Sequence, residues 1–329
     1  MASHDVMPDV QLFQPAEIAD ALKLADRYSG DGWLLGGGQD TYGWLKDRAK
    51  HPQALIDLNG IEALKGVRDT GDGIEIGAVT TLREIIRHPR INSDYGLLAE
   101  AANVVASPQI RNVGTLGGNL VQDTRCWYYR RGLDCYRAGG NICYADSPGA
   151  MNREHCVLGA SRCVAVSPSD TAIAMVALEA TMVAQSAGGT RQIAAEDFFV
   201  GPDTHITQMT SLKPDEILTA VRIPAKWAGA HFHYEKVADR NVWDFALVSI
   251  AVAMSLEDGV VRDSRFVCGG VACTPHRLRG VERAAAGKAL SAESADALAP
   301  LASRGAKALN YNHFKLPLME NLVRRAMRG

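Results

Sequence analysis

The sequence predicts an α/β fold on three observations: short apolar runs of strand length, short amphipathic segments of helical period, and Gly, Asp and Pro punctuation between them. At 329 residues the chain exceeds one simple core, and two or three domains are expected. Pro15 to Asp26 reads as an amphipathic helix with Ile18, Leu22, Leu24 and Ala25 on one side, stopped by the turn from Ser29 to Gly32. Trp33 to Leu35 follows as a buried strand that runs into Gly36, Gly37, Gly38, Gln39, Asp40 and Thr41. Ala54 to Leu58 and Ile74 to Val79 read as further strands, and Leu82 to His88 and Gly96 to Val105 as helices, the second closed by Pro108. Val164 to Val166 is expected to resume a strand, Ala172 to Glu179 to form a helix or buried turn, and Ala180 to Ala184 a strand. A boundary is placed near Ile223, Pro224 and Ala225. Beyond it Tyr234 to Val237, Ala246 to Met254 and Phe266 to Val271 are β-like, and from Arg277 the chain is Ala-rich and helical.

Composition narrows the class. Hydrophobic content of 47% and charged content of 22% are ordinary for a soluble globular protein. A net charge of −2 supplies no basic field for nucleic acid or anionic lipid. No apolar stretch is long enough to span a bilayer, and the first ten residues have neither a cationic n-region nor an apolar h-region. A reducing, cytoplasmic setting is therefore expected; export on a partner's signal is the alternative.

Five of the seven cysteines, Cys126, Cys135, Cys143, Cys156 and Cys163, lie within one loop directly after a glycine-rich stretch. Thiols at this density share a metal, a cluster or a disulfide framework. No pair has the short knuckle spacing of structural zinc, and long-spaced thiolates in an irregular loop suit an iron–sulfur cube. Zinc, disulfides and unbound thiols stand as alternatives. Cys268 and Cys273 read as buried, incidental thiols.

Two glycine clusters precede this loop. Gly36, Gly37 and Gly38 after a buried strand leave backbone N–H groups open to a pyrophosphate, with Gln39, Asp40 and Thr41 able to add side-chain hydrogen bonds. A tight turn explains the glycines equally well. The second cluster, Ile110 to Leu120, sets Thr115 and Asn119 around a bare Gly117–Gly118; a bulge or strand-to-helix turn is its plain alternative. Neither cluster matches the dinucleotide or Walker A pattern.

The residues Gly37-Gly-Gln-Asp40, Ile110-Arg-Asn-Val-Gly-Thr-Leu-Gly-Gly-Asn-Leu120 and Pro168-Ser-Asp170 resemble the FAD-binding medium subunit of the xanthine dehydrogenase/molybdenum hydroxylase family, over nearly the whole chain. The resemblance implies two α/β subdomains of the PCMH-type FAD-binding fold, at 1–58 and 59–224, and a C-terminal sheet-and-helix domain at 225–329. The stretch 122–166 is longer than most members carry. It is similar to the insertion that binds a [4Fe-4S] cluster in 4-hydroxybenzoyl-CoA reductase and in bacterial aldehyde oxidoreductase.

By that resemblance Cys126, Cys135, Cys143 and Cys163 would ligate the cluster and Cys156 would be spare. Leu34, Leu35, Gly36, Gly37, Gly38, Gln39, Asp40 and Thr41 would wrap the FAD pyrophosphate. Val105, Gly114, Thr115, Gly118 and Asn119 would lie against the ligand. Asp170 would bind a polar group of the flavin or ribityl chain, with an N-cap role as its alternative. Leu218 and Lys236 would lie near the isoalloxazine.

The implied function is that of an FAD- and [4Fe-4S]-containing electron-transfer subunit with no catalytic side chain of its own. A small subunit with [2Fe-2S] centres and a large subunit with a molybdopterin cofactor would complete a heterotrimer oxidising aldehydes or N-heterocycles. The external acceptor would be ferredoxin, a quinone or NAD. A reductase fed by ferredoxin, or a non-catalytic cluster-binding module, are the alternatives.

Overall fold

The computed structural model describes Met7 and residues 9–328. The N-terminal segment forms a parallel three-stranded sheet of β1 (Gln11–Phe13), β2 (Gly32–Leu35) and β3 (Ala54–Asp57), with β3 in the middle. Helix Ile18–Arg27 packs Ala21, Leu22 and Ala25 against Ile56, so its apolar stripe closes this small layer.

The second sheet is antiparallel. It comprises β4 (Val67–Thr70), β5 (Gly73–Gly77), β6 (Thr181–Ser186), β7 (Gly189–Ala194) and β8 (Ile217–Pro224), in the order β4-β5-β8-β6-β7. The third sheet holds β9 (His231–Val237), β10 (Val248–Glu257), β11 (Val260–Gly269) and β12 (His276–Arg277), also antiparallel and in sequence order. Strand alternation divides β10 between two cores. Ala251 and Ala253 join the core of the second sheet; Val248, Ile250, Val252 and Met254 pack against Val281, Leu298, Met319 and Val323 of the C-terminal helices.

Helix Asp170–Ala177 lies between these layers and is buried at every position, which explains its apolar sequence without amphipathic period. Its N-cap is Ser169, whose Oγ accepts from Ala172 N at 3.1 Å; Asp170 is the first helical residue, so the N-cap alternative for Asp170 falls.

Three expectations need correction. Val164 to Val166 is not a strand: Val164 O accepts from Cys156 N at 2.8 Å and Ser167 N donates to Ala272 O at 3.0 Å, so the run is buried loop. Its apolar residues reflect burial, not pairing. Pro108 does not close the preceding helix, which already ends at Asn103. It opens the short helix Pro108–Arg111 at the position where its missing N–H costs nothing, behind the Ser107 cap. The polar, exposed β4 and β7 were absent from the sequence reading because only one side of each meets the core.

The cysteine-bearing stretch has only the helix Trp127–Arg130 and two single turns among its described residues. The C-terminal domain fastens it. Lys315 is fully buried and its Nζ donates to Glu154 O at 3.0 Å and Gly270 O at 2.5 Å. Asn312 Nδ2 donates to His155 O and Cys156 O at 3.0 and 3.1 Å. Lys315→Met would keep the volume but strand two carbonyls, at a cost of about 2–4 kcal/mol. Thermal denaturation should show this loss, and limited proteolysis should cut faster between residues 126 and 163; unchanged proteolysis would mean that Lys315 does not hold the loop.

Candidate functional site

The two glycine clusters meet. A Cβ on Gly37 would stand 2.1 Å from Val113 O, and one on Gly36 would stand 2.6 Å from Thr115 Oγ1. Backbone therefore lies on backbone, at a separation that no side chain allows. Gly38 has a φ of +71°, which turns the first loop into the helix Thr41–Lys46. Thr115 caps the helix Leu116–Leu120, its Oγ1 accepting from Gly118 N at 3.1 Å. Asn119 Oδ1 accepts from Ser169 Oγ at 2.7 Å and Thr171 Oγ1 at 2.6 Å, which ties the second loop to the buried helix.

A cavity of about 510 Å³ opens over this junction. Its walls include Leu34, Gly36, Gly37, Gly38, Gln39, Asp40 and Thr41 from the first loop. Val105, Gly114, Thr115, Gly118, Asn119 and Asp170 complete the predicted set that it brings together. Leu35, Leu218 and Lys236 do not line it. Lys236 sits behind Asp170, its Nζ donating to Asp170 Oδ2 at 2.7 Å, Asp244 O at 2.8 Å and Val104 O at 3.1 Å. Burial pushes the Asp170 carboxyl up and Lys236 opposes the rise.

The side chains after the glycines are already engaged. Thr41 Oγ1 accepts from Trp33 Nε1 at 3.1 Å, and Gln39 Nε2 donates to Gly37 O at 3.2 Å. Asp40 takes Arg125 and Arg130 on Oδ1 and Trp44 Nε1 on Oδ2. The loop thus offers backbone N–H groups, and two arginines neutralise the one carboxylate beside them.

Sequence reading missed the rim. Trp243 and Phe245, 60% and 40% exposed, flank the cavity from the turn between β9 and β10, with the Arg125 guanidinium 4.7 Å above the Phe245 ring. Trp243 has a φ of 58° and donates its N–H to Ala106 O at 2.8 Å. The segment from Thr207 to Glu216 forms the opposite wall. Two aromatics bracketing Asp244 in a polar turn were the available signal. Glycine-backed N–H groups, a deep cavity and exposed aromatic faces at its mouth fit a dinucleotide with a flat ring.

The thiols gather beside this cavity. Cys163 packs with Cys273 and Cys126, Cys135 packs with Tyr129 and Cys126, and Cys143 packs with Cys156. Burial pushes Cys126 and Cys156 up to about 12 and raises Cys143. Cys163 is pulled down by its neighbours, Cys273 first and then Arg137, against its burial. Cys273, read as incidental, therefore belongs to this group; its thiol donates to Ala165 O at 2.8 Å. Cys268 is buried in the C-terminal core. Among the described residues no three His, Cys, Asp or Glu side chains close on a single ion. A cube asks for a different arrangement, one thiolate per iron around a wider centre. A buried arginine, Arg137, beside these thiols fits such an anionic group.

Known proteins share this layout. A family model described as the FAD binding domain in molybdopterin dehydrogenase matches residues 8–226, and one described as the CO dehydrogenase flavoprotein C-terminal domain matches 233–329. The aldehyde oxidoreductase FAD-binding subunit of Escherichia coli is 37% identical, over 80% of this chain and 82% of its own. The nicotine 6-hydroxylase medium subunit of Paenarthrobacter nicotinovorans is 29% identical, over 98% and 97%. The solved carbon monoxide dehydrogenase from Hydrogenophaga pseudoflava, which lacks the Mo-pyranopterin moiety, superposes with a TM-score of 0.76 at 28% identity, covering 98% of this chain and 97% of that one.

Asp170→Asn would leave the Lys236 ammonium buried beside a neutral group. The expected cost is about 3–5 kcal/mol of stability, with loss of bound flavin. Thermal denaturation and the flavin absorbance per chain check both; full stability with full flavin would remove Asp170 from the site.

Proposed function

The chain belongs to the family of FAD-binding subunits of molybdenum hydroxylases, and from that premise we propose that it is the FAD- and [4Fe-4S]-bearing electron-transfer subunit of a heterotrimer. Its relatives are subunits of oxidoreductases, named for aldehydes, carbon monoxide and nicotine. A small subunit with [2Fe-2S] centres and a large subunit with the molybdenum cofactor complete the enzyme, which oxidises an aldehyde or N-heterocycle and passes electrons to an external acceptor. Flavin beside an iron–sulfur cluster supplies an exchange between two-electron and one-electron chemistry.

One observation carries this reading. Arg125 lines the cavity and Cys126, the next residue, enters the thiol group, which supports two adjacent centres. The backbone from Leu34 to Thr41 holds the pyrophosphate. Thr115, Gly118 and Asn119 hold the chain that follows. Lys236 fixes the Asp170 carboxylate at the cavity wall, and Trp243 and Phe245 shield the ring from water. Cys126, Cys135, Cys143 and Cys163 ligate the cluster. Cys156, fully buried beside Ala145 and Val164, is the spare thiol.

Single Cys→Ser variants test the cluster assignment. Anaerobically purified chain should carry about four irons; replacing any of the four ligands should lower that content while Cys156→Ser retains it. Acid precipitation should release all flavin, because neither glycine loop holds a His or Cys to bind it covalently. Iron lost from Cys156→Ser and kept in Cys163→Ser would reverse the assignment, and a chain without flavin would sink the whole reading.

A further inference from the structure

Arg137 is 3% exposed, on the single turn that follows Cys135. Among the described residues none of its three guanidinium nitrogens has an oxygen or nitrogen hydrogen-bond partner. Its nearest counter-charge is Asp123, whose Oδ1 stands 3.6 Å from Nη1, an ion pair too long for a hydrogen bond. That carboxylate is already shared: Lys50 Nζ is 3.4 Å from Oδ2, Tyr129 Oη donates to it at 3.3 Å, and Thr124 N donates to Oδ1 at 2.7 Å. A buried cation with so little compensation costs several kcal/mol unless something anionic meets it. The groups left to face it are the Cys163 and Cys273 thiols.

We propose that Arg137 is a positioning residue of the iron–sulfur site, its guanidinium balancing the negative charge of the thiolate-bound cluster and so holding the cluster's reduction potential up. This rests on the cluster reading above. The physical basis is general: net charge and hydrogen bonds to the sulfurs set the potential of such clusters, and a fixed positive charge in a low-dielectric loop stabilises the more negative, reduced form. A second contact adds to it. His155 Nε2 lies 3.2 Å from Cys126 Sγ.

The experiment is an EPR-monitored redox titration of the full chain, with whatever subunits purify with it, for wild type, Arg137→Gln and Arg137→Lys. Iron and flavin contents are measured on the same samples. Arg137→Gln should keep its cluster and shift the reduction equilibrium toward the oxidised form at least tenfold, about 59 mV for a one-electron couple. Arg137→Lys should recover most of that shift. Iron lost from Arg137→Gln but kept in Arg137→Lys would also support the proposal, because the cluster would then need the charge to stay bound. An unchanged potential in Arg137→Gln with the cluster intact would overturn it. So would equal shifts in both variants, or loss of iron from both in chains that still bind flavin. Wild-type chain with flavin but no iron would instead defeat the cluster reading itself.

Discussion

The site depends on one contact between backbones. Gly37 lies against Val113 and Gly114 so closely that a single methyl group would force the two loops apart. That contact joins the parallel sheet of the first 58 residues to the larger body, and the cavity is the space above it. Gly36 repeats the constraint against the Thr115 hydroxyl, which at the same moment caps the helix Leu116–Leu120. The glycines thus serve proximity between the two loops.

A charge-based link then attaches the thiol loop to this junction. Asp40, inside the first glycine loop, holds Arg125 and Arg130 from either side of Cys126. Arg130 also stacks on Trp44 at 3.9 Å and Arg125 on Phe245. The far end of the loop is held by Lys315 and Asn312 from the C-terminal domain. An irregular segment with no strand of its own among the described residues is therefore ordered by polar anchors at both ends. Its interior holds the thiols together with the buried Arg137, Asn152 and His155.

Much of this was legible before any coordinates. Glycine runs, Asp170 and the cysteine density are local signals, and the cavity and the thiol group sit where they point. What stayed hidden is what long-range packing decides. Trp243 and Phe245 reach the rim only because β9 and β10 pair, and the polar turn that carries them marks them as exposed without saying what they face. Cys273 lies 110 residues from Cys163 and joins it because the turn after β11 packs beneath the loop. Val164 to Val166 imitates a strand because burial alone selects apolar residues. Lys236 looked like a contact of the ring and proves to be a tether holding Asp170 and Asp244.

The central claim is that flavin and cluster work as one electron-exchanging unit in this chain. An anaerobic reductive titration of the purified chain, followed by visible absorbance and EPR, tests it most directly. The account predicts about three electron equivalents per chain, two taken up with loss of flavin absorbance and one with the appearance of a reduced-cluster signal. Uptake of two equivalents with no cluster signal would contradict it.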